Sequence, residues 1–343
     1  MPGWLPLALM TLLMVAVGGY AAGRNDAFYS DFNLNSLLGP NGALPLVLVA
    51  MAQVSALMVG GFDISVGAVM TLVVCVGSYI LTTGADWYVL MFASLALVGI
   101  GVVVGLVNAF LIRTLRLPSI IATLATLSVA LGISLRLRPS PGGAISLDFS
   151  DALSSSWGFV PIAFVAVVGL AALCDLWLYR SAGGLVTRAV GLDEISSRRL
   201  GARSERIHWR AFVVASVLAA LAGLFLAASV GIGDGKPGPA SDFALKSIAA
   251  AVLGGASLAG GRGSFVGAIV GGTFLALIVN ILALENIVPA FLRDWSNGLP
   301  LIIIGALTLI ALVLYQAPEL WSRARTSWQD LRLARARVGE PAS

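Results

Sequence analysis

Long apolar runs, each broken by a short polar or glycine-rich stretch, recur from one end of the chain to the other. A helix crosses the roughly 30 Å hydrocarbon layer of a bilayer with about 20 residues, because unpaired backbone groups in lipid cost several kcal/mol each. Applied to the apolar runs, that length predicts ten spans, near 4–22, 44–60, 66–82, 88–112, 117–135, 157–179, 209–230, 244–258, 264–284 and 296–315. The first run has no Lys or Arg ahead of it, which argues for a retained span over a cleaved leader. Two of the runs are short and adjoin glycine-rich breaks, one at Gly60-Gly61 before Phe62-Asp63, the other from Gly254-Gly255 to Gly263. Interrupted helices of this kind often line transport pathways, although glycine also serves close helix packing. The strings GGFDISVGAV (60–69) and GGRGSFVGAI (260–269) resemble each other, which fits either an internal repeat or chance in a chain so rich in Gly, Ala and Val.

Composition strengthens the membrane reading. Of 343 residues, 58% are hydrophobic and only 11% charged, where soluble domains carry roughly a quarter charged residues. When the N-terminus is placed in the cytoplasm, fifteen Lys and Arg and eight acids fall on the cytoplasmic side, and six and nine on the other. The sides then carry +7 and −3, summing to the net +4, as the positive-inside rule expects of a protein with both termini inside. The basic residues flank apolar spans, so topology explains them better than nucleic-acid binding. Cys75 and Cys174 sit singly in apolar runs and suggest neither disulfide nor metal site. The one histidine, His208, lies beside Trp209 in a charged stretch and is expected to be solvated or interfacial. No nucleophile, base and orienting group can be assembled, so an enzyme is not expected.

Within the spans the polar residues are mostly neutral. Gln53, Ser55, Asn108, Thr123, Thr126, Ser128, Ser216 and Asn280 either bond a neighbouring helix or line a pathway. Asp63, followed by Ser65, reads as a cap on the third span or as a gating residue, since ionisable groups at membrane depth are costly. The translocation-pathway candidates are therefore Gln53, Asp63, Ser65, Asn108, Thr123 and Asn280. Without an ionisable group near a span centre, an uncharged, hydroxyl-rich solute is favoured. Asp175 lies near the cytoplasmic end of the sixth span, within reach of Arg180 or water. The chain has no phosphate-binding loop of the spacing Gly, four residues, Gly-Lys, Ser or Thr, so ATP hydrolysis would need a partner.

Three strings carry a resemblance: GGFDISVG (60–67), NAFLIRTLRLPSIIATLATLSVALGI (108–133) and SIAAAVLGGASLAGGRGSFVGAIVGG (247–272). In this order and spacing they resemble the permeases of ribose-type sugar ABC importers over about residues 40–315. The resemblance implies an all-α integral membrane protein with an ABC importer permease fold. It implies a permease subunit in a bacterial inner membrane that pairs with a second copy or paralogue. A cytoplasmic ABC ATPase would bind the ATP, and an extracytoplasmic solute-binding protein would deliver a sugar; the chain itself would need no cofactor.

The segment GGLVTRAVGLDEISSRRLGARSERIHWR (183–210) is similar to the family's ATPase-contacting loop, although Leu192-Asp193 and Ile195-Ser196-Ser197 depart from the usual Gly-Asn and Ala-Ala. Asp193 and Glu194 suit the positive start of a short helix, Arg198 and Arg199 its other end, and Gly201 its stop. Gly191 completes the set of coupling residues. The expected organisation is a permease domain over 1–318, with its coupling loop at about 183–208, and a basic cytoplasmic tail over 319–343. A branched-chain amino acid or nucleoside ABC permease remains a rival, as does an ion-driven secondary carrier, which would call for a carboxylate or basic relay in mid-span.

Overall fold

A computed structural model describes residues 5–236 and 239–284, together with 302, 303, 305, 306 and 309. The described residues are helical throughout, apart from short connections and one small hairpin that pairs Ser156–Trp157 with Val160–Pro161. The helices are α1 (Leu5–Ala22), α2 (Asp31–Leu38), α3 (Ala43–Met58), α4 (Val66–Ile80), α5 (Trp87–Arg113), α6 (Ser119–Leu137) and α7 (Leu147–Ser154). They continue with α8 (Ile162–Arg180), α9 (Ala182–Leu192), α10 (Glu194–Arg199), α11 (Ser204–Val230), α12 (Pro239–Leu253) and α13 (Phe265–Ala283).

Among the described residues six helical stretches are long and apolar enough to cross a membrane: Asp31–Met58, which joins α2 to α3, and α5, α6, α8, α11 and α13. The first and third expected spans coincide with α1 and α4 and the eighth overlaps α12, while the tenth and the tail 319–343 lie outside the described residues but for the five positions named. Burial separates two kinds of helix. Every residue of α3 is buried, which is the behaviour of an all-round apolar helix at the centre of a bundle. By contrast α5, α6 and α8 turn Val103, Phe110, Val129, Ile133, Val165 and Leu173 outward. So broad an apolar exterior needs lipid as its solvent.

At the centre α11 packs against α3, α4 and α5. Gly101 and Gly105 of α5 make the close approach possible: a Cβ on them would stand 2.5 Å from the Ser216 carbonyl oxygen and 2.6 Å from the Val213 Cα. Small residues four apart let backbones meet, and van der Waals contact then replaces the hydrophobic drive that lipid removes.

The helix ends gather in two sets. At one end Gly261 N–H donates to the Met58 carbonyl (3.2 Å), Phe62 N–H to Ser119 Oγ (3.1 Å) and Tyr179 Oη–H to the Gly263 carbonyl (2.7 Å). At the other, Gly142 bridges Gly233, Ser146 N–H donates to Leu81 (2.8 Å), and Arg138 donates to Ser78 Oγ (2.9 Å) while lying 3.8 Å over the Tyr79 ring. The two similar glycine strings sit together at the first end. Gly60 and Gly260 both have positive φ, and a Cβ on Gly260 would come 3.0 Å from the Gly60 Cα.

Two expectations need correction. The eighth apolar helix starts at Pro239, five residues before the expected 244, because proline suits a first turn, and it stops ahead of Gly254-Gly255. Lys246 lies inside α12, where Asp242 one turn earlier stands 3.8 Å from its Nζ. Asp175 does not turn to Arg180 or water. Its two oxygens accept from Phe265 N–H (2.7 Å), Val266 N–H (3.0 Å) and Ser264 Oγ–H, so that α8 caps the start of α13.

Candidate functional site

The 183–210 segment folds as two helices and the start of a third, α9, α10 and α11. Asp193 caps α10 as its sequence implies: its carboxylate accepts from the Ser196 N–H (3.0 Å) and the Ser196 hydroxyl (2.5 Å). Those bonds, the hydroxyl first, hold the Asp193 carboxyl below the usual carboxylate range. Gly201, with φ 91°, ends the helix in the left-handed region that favours glycine. Ile195 is 67% and Leu200 89% exposed, so α10 presents apolar side chains on a polar framework. Arg199 is exposed beside them.

Glu194 ties this helix to the bundle. Its Oε1 lies 2.6 Å from Arg113 at the end of α5 and 2.7 Å from Arg198, which also donates to Ser204 Oγ (2.6 Å). Arg198 is thus tied to its own loop while its side chain stays half exposed. Burial by itself raises the Glu194 carboxyl, but hydrogen bonds with Arg113 and Ser204 and the charge of Arg113 outweigh it and bring it down to about 2 from 4.5. A depressed carboxyl stabilises the fold above its unfolded pKa, and that contribution is lost as pH falls through the folded one. The thermal stability of the detergent-solubilised protein is expected to fall as pH drops from 4.5 to about 2. Glu194→Gln should lack this component, and identical pH profiles for the two proteins would show that Glu194 contributes none of it.

Gly191 has a different place from the one its sequence suggests. A Cβ there would stand 1.9 Å from the Met58 carbonyl oxygen and 2.6 Å from Gly261 N, so it lies in a backbone junction between α9 and both glycine breaks. His208 is also corrected: it is buried, with Nδ1 2.8 Å from the Ser204 carbonyl and Nε2 3.9 Å from Glu194 Oε2. Extension of α11 back to Ser204 carries it onto the packed face of the helix. The roles of Arg113 and Ser204, and the meeting of Gly191 with the two glycine breaks, leave no sign in the sequence, since each depends on contacts between residues far apart along the chain.

The pathway candidates divide. Asp63 Oδ1 accepts from Ser65 N–H (2.9 Å) and the Ser65 hydroxyl (2.5 Å), forming a turn within the break and leaving the first amides of α4 uncapped by it. Asn108 of α5 donates to Ser65 Oγ (3.0 Å) and accepts from Thr126 Oγ1–H of α6 (2.6 Å). Thr123 accepts from Ile64 N–H (3.2 Å). Asp63, Ser65, Asn108, Thr123 and Thr126 therefore surround the first break as one buried set joining α4, α5 and α6. Gln53 is buried in α3 outside that set, and its amide atoms make no hydrogen bond of ordinary length. Asn280 is elsewhere, exchanging two bonds with Asn33 of α2 (2.9 and 3.3 Å) at the other end of the molecule.

This arrangement holds helices and loops in register and contains no reacting constellation. A family model described as "Branched-chain amino acid transport system / permease component" matches residues 40–312. The chain belongs to this family of transport permeases. Among similar proteins, the Autoinducer 2 import system permease protein LsrC of Enterobacter sp. (strain 638) is 32% identical over 305 residues, covering 87% of this chain and 84% of that protein. The protein of the same name from Salmonella paratyphi B is 34% identical over 263 residues (75% and 73%), and that from Escherichia coli K12/DH10B is 33% identical over 265 residues (75% and 74%). No solved structure matches the permease. Its relatives are subunits of import systems and are not named as enzymes, and the apolar exterior of α5, α6 and α8 agrees with a multi-pass membrane protein.

Proposed function

We propose that this permease is the membrane-spanning subunit of an ATP-driven importer for a small neutral, sugar-like solute. It has ten spans with both termini inside and lies in a bacterial inner membrane. It pairs with a second copy or close relative, receives solute from an external binding protein and docks a cytoplasmic ATPase that binds and hydrolyses the ATP. The observation that carries this reading is α10: a capped helix tied to α5 by the Arg113–Glu194 pair yet exposing Ile195 and Leu200. A loop needed only for topology has no use for exposed apolar side chains on a built helix, whereas a docking element does. The separation of the helix ends into two sets suits alternating spans, and the charge division puts α10 on the inner side.

The solute class rests on the ribose-type strings, on relatives named for autoinducer 2 import, and on the neutral amide and hydroxyl groups around the first break. Lys246, the charge within α12, has Asp242 beside it and leaves little net field. The family description keeps a branched-chain amino acid as the rival solute.

ATPase recovery tests the docking. Ile195→Glu with Leu200→Glu should reduce the ATPase that co-purifies with the permease by about tenfold or more, as loss of two apolar anchors predicts, while the permease unfolds at an unchanged temperature. A cytoplasm-dependent reporter fused after residue 195 should be active and one after 236 silent. Undiminished ATPase recovery, or an active reporter at 236, would contradict the reading.

A further inference from the structure

Between α8–α9 and α11, at the end that carries α10, lies a cavity of about 900 Å³, within the size range of small-molecule sites. Arg206 and Arg210 line it from one face of α11, together with Arg203, the residue just before the helix, and all three are exposed. Among the described residues none of them forms an ion pair. Ile207, Ala211 and Val214 continue the α11 wall, while Cys174, Trp177 and Leu185 form the wall opposite and Met58 and Phe265 lie between. From Arg203 to Val214 the helix rises about 16 Å, so charge at one end of the cavity gives way to an apolar interior over more than the depth of a headgroup layer. The start of α11 adds to the attraction for an anion, since its first turn has no side-chain cap and its amides point toward the arginines' end.

Taking α8 and α11 to cross the bilayer, we infer that this groove holds an anionic phospholipid. The phosphate sits among Arg203, Arg206 and Arg210, and an acyl chain runs between Trp177 and Val214. A basic mouth over an apolar slot between spanning helices is the arrangement that anionic headgroups recognise on a cytoplasmic face. Trp177, 48% exposed, is placed as aromatic residues are at a membrane interface. Because α9, α10 and α11 all line the groove, the bound lipid would brace the loop that carries the docking helix.

The permease alone, equilibrated in detergent with equimolar phosphatidylglycerol and phosphatidylethanolamine, is analysed by native mass spectrometry for retained lipid. The wild type should retain phosphatidylglycerol preferentially. Each single Arg→Gln change at 203, 206 or 210 should lower that preference about fivefold, and the triple variant should abolish it. Val214→Trp, which fills the slot and leaves the charge alone, should lower retention of both lipids, whereas Arg24→Gln and Arg136→Gln at the other end should change nothing. An undiminished preference in the triple variant would overturn the proposal. So would unchanged lipid retention accompanied by loss of ATPase recovery, which would assign the groove to the ATPase. No solute, ATP or partner enters the lipid measurement, so its failure is separate from a failure of the importer reading.

Discussion

Replacing Gly191 with valine is expected to abolish ATP-driven uptake and to lower the thermal stability of the permease, while Gly201→Val leaves most of the stability in place. The two glycines lie in one loop, ten residues apart, and look alike in sequence. At 191 an added Cβ would meet the Met58 carbonyl oxygen at 1.9 Å, Gly261 N at 2.6 Å and Gly261 Cα at 2.8 Å. All three are backbone atoms, so no rotamer change can give way, and the hydrogen bond from Gly261 N–H to Met58 would have to open. Overpacking that moves backbone costs about 3 kcal/mol or more. At 201 nothing stands within 4 Å of the added carbon, and the cost is that of a left-handed φ of 91°, about 1–2 kcal/mol. Thermal unfolding in detergent with ATPase recovery on the same samples separates the two effects. Equal melting temperatures for Gly191→Val and the wild type would show that the three segments do not form one junction.

The contrast marks what could be read from the chain and what could not. The Asp193 cap, the Gly201 stop and the long apolar helices α5, α6, α8, α11 and α13 are local, set by side chains within a turn or by uninterrupted apolar length, and the structure follows them. Gly191 and Asp175 differ from the sequence reading because their partners come from distant segments, whereas His208 differs because α11 extends back to Ser204 and carries it onto the packed face. Asp175 meets the start of α13 some ninety residues on, and no pattern around it indicates that. Only the likeness of the two glycine strings hinted at a meeting between the breaks. The polar residues were found as a class, but four of the six pathway candidates gather at the first break while Gln53 and Asn280 do not, a division that helix rotation decides.

The second large effect concerns what crosses. The groups around the first break are one turn-forming carboxylate, hydroxyls and amides, and the only charges within α12 are the Asp242–Lys246 pair. Asp63, bonded to Ser65, is the one carboxylate at the break; among the described residues no basic group beside it completes the relay that an ion-driven carrier needs, and an anionic solute would have no counter-charge to offset its lost hydration. Uptake should therefore require ATP, be indifferent to a collapsed ion gradient, and accept pentoses or related neutral polyols over leucine or any charged analogue by at least tenfold. That preference corresponds to about 1.4 kcal/mol, which one unmatched hydrogen-bonding group readily supplies.

The measurement that tests the central claim most directly is solute accumulation in proteoliposomes holding the permease and its ATPase, with the binding protein and ATP supplied. The account predicts accumulation of a neutral sugar-like solute that stops when ATP is withheld or the ATPase is omitted and persists when an ionophore collapses the ion gradients. Accumulation of a branched-chain or charged amino acid in its place, or uptake that follows an ion gradient without ATP, would contradict it.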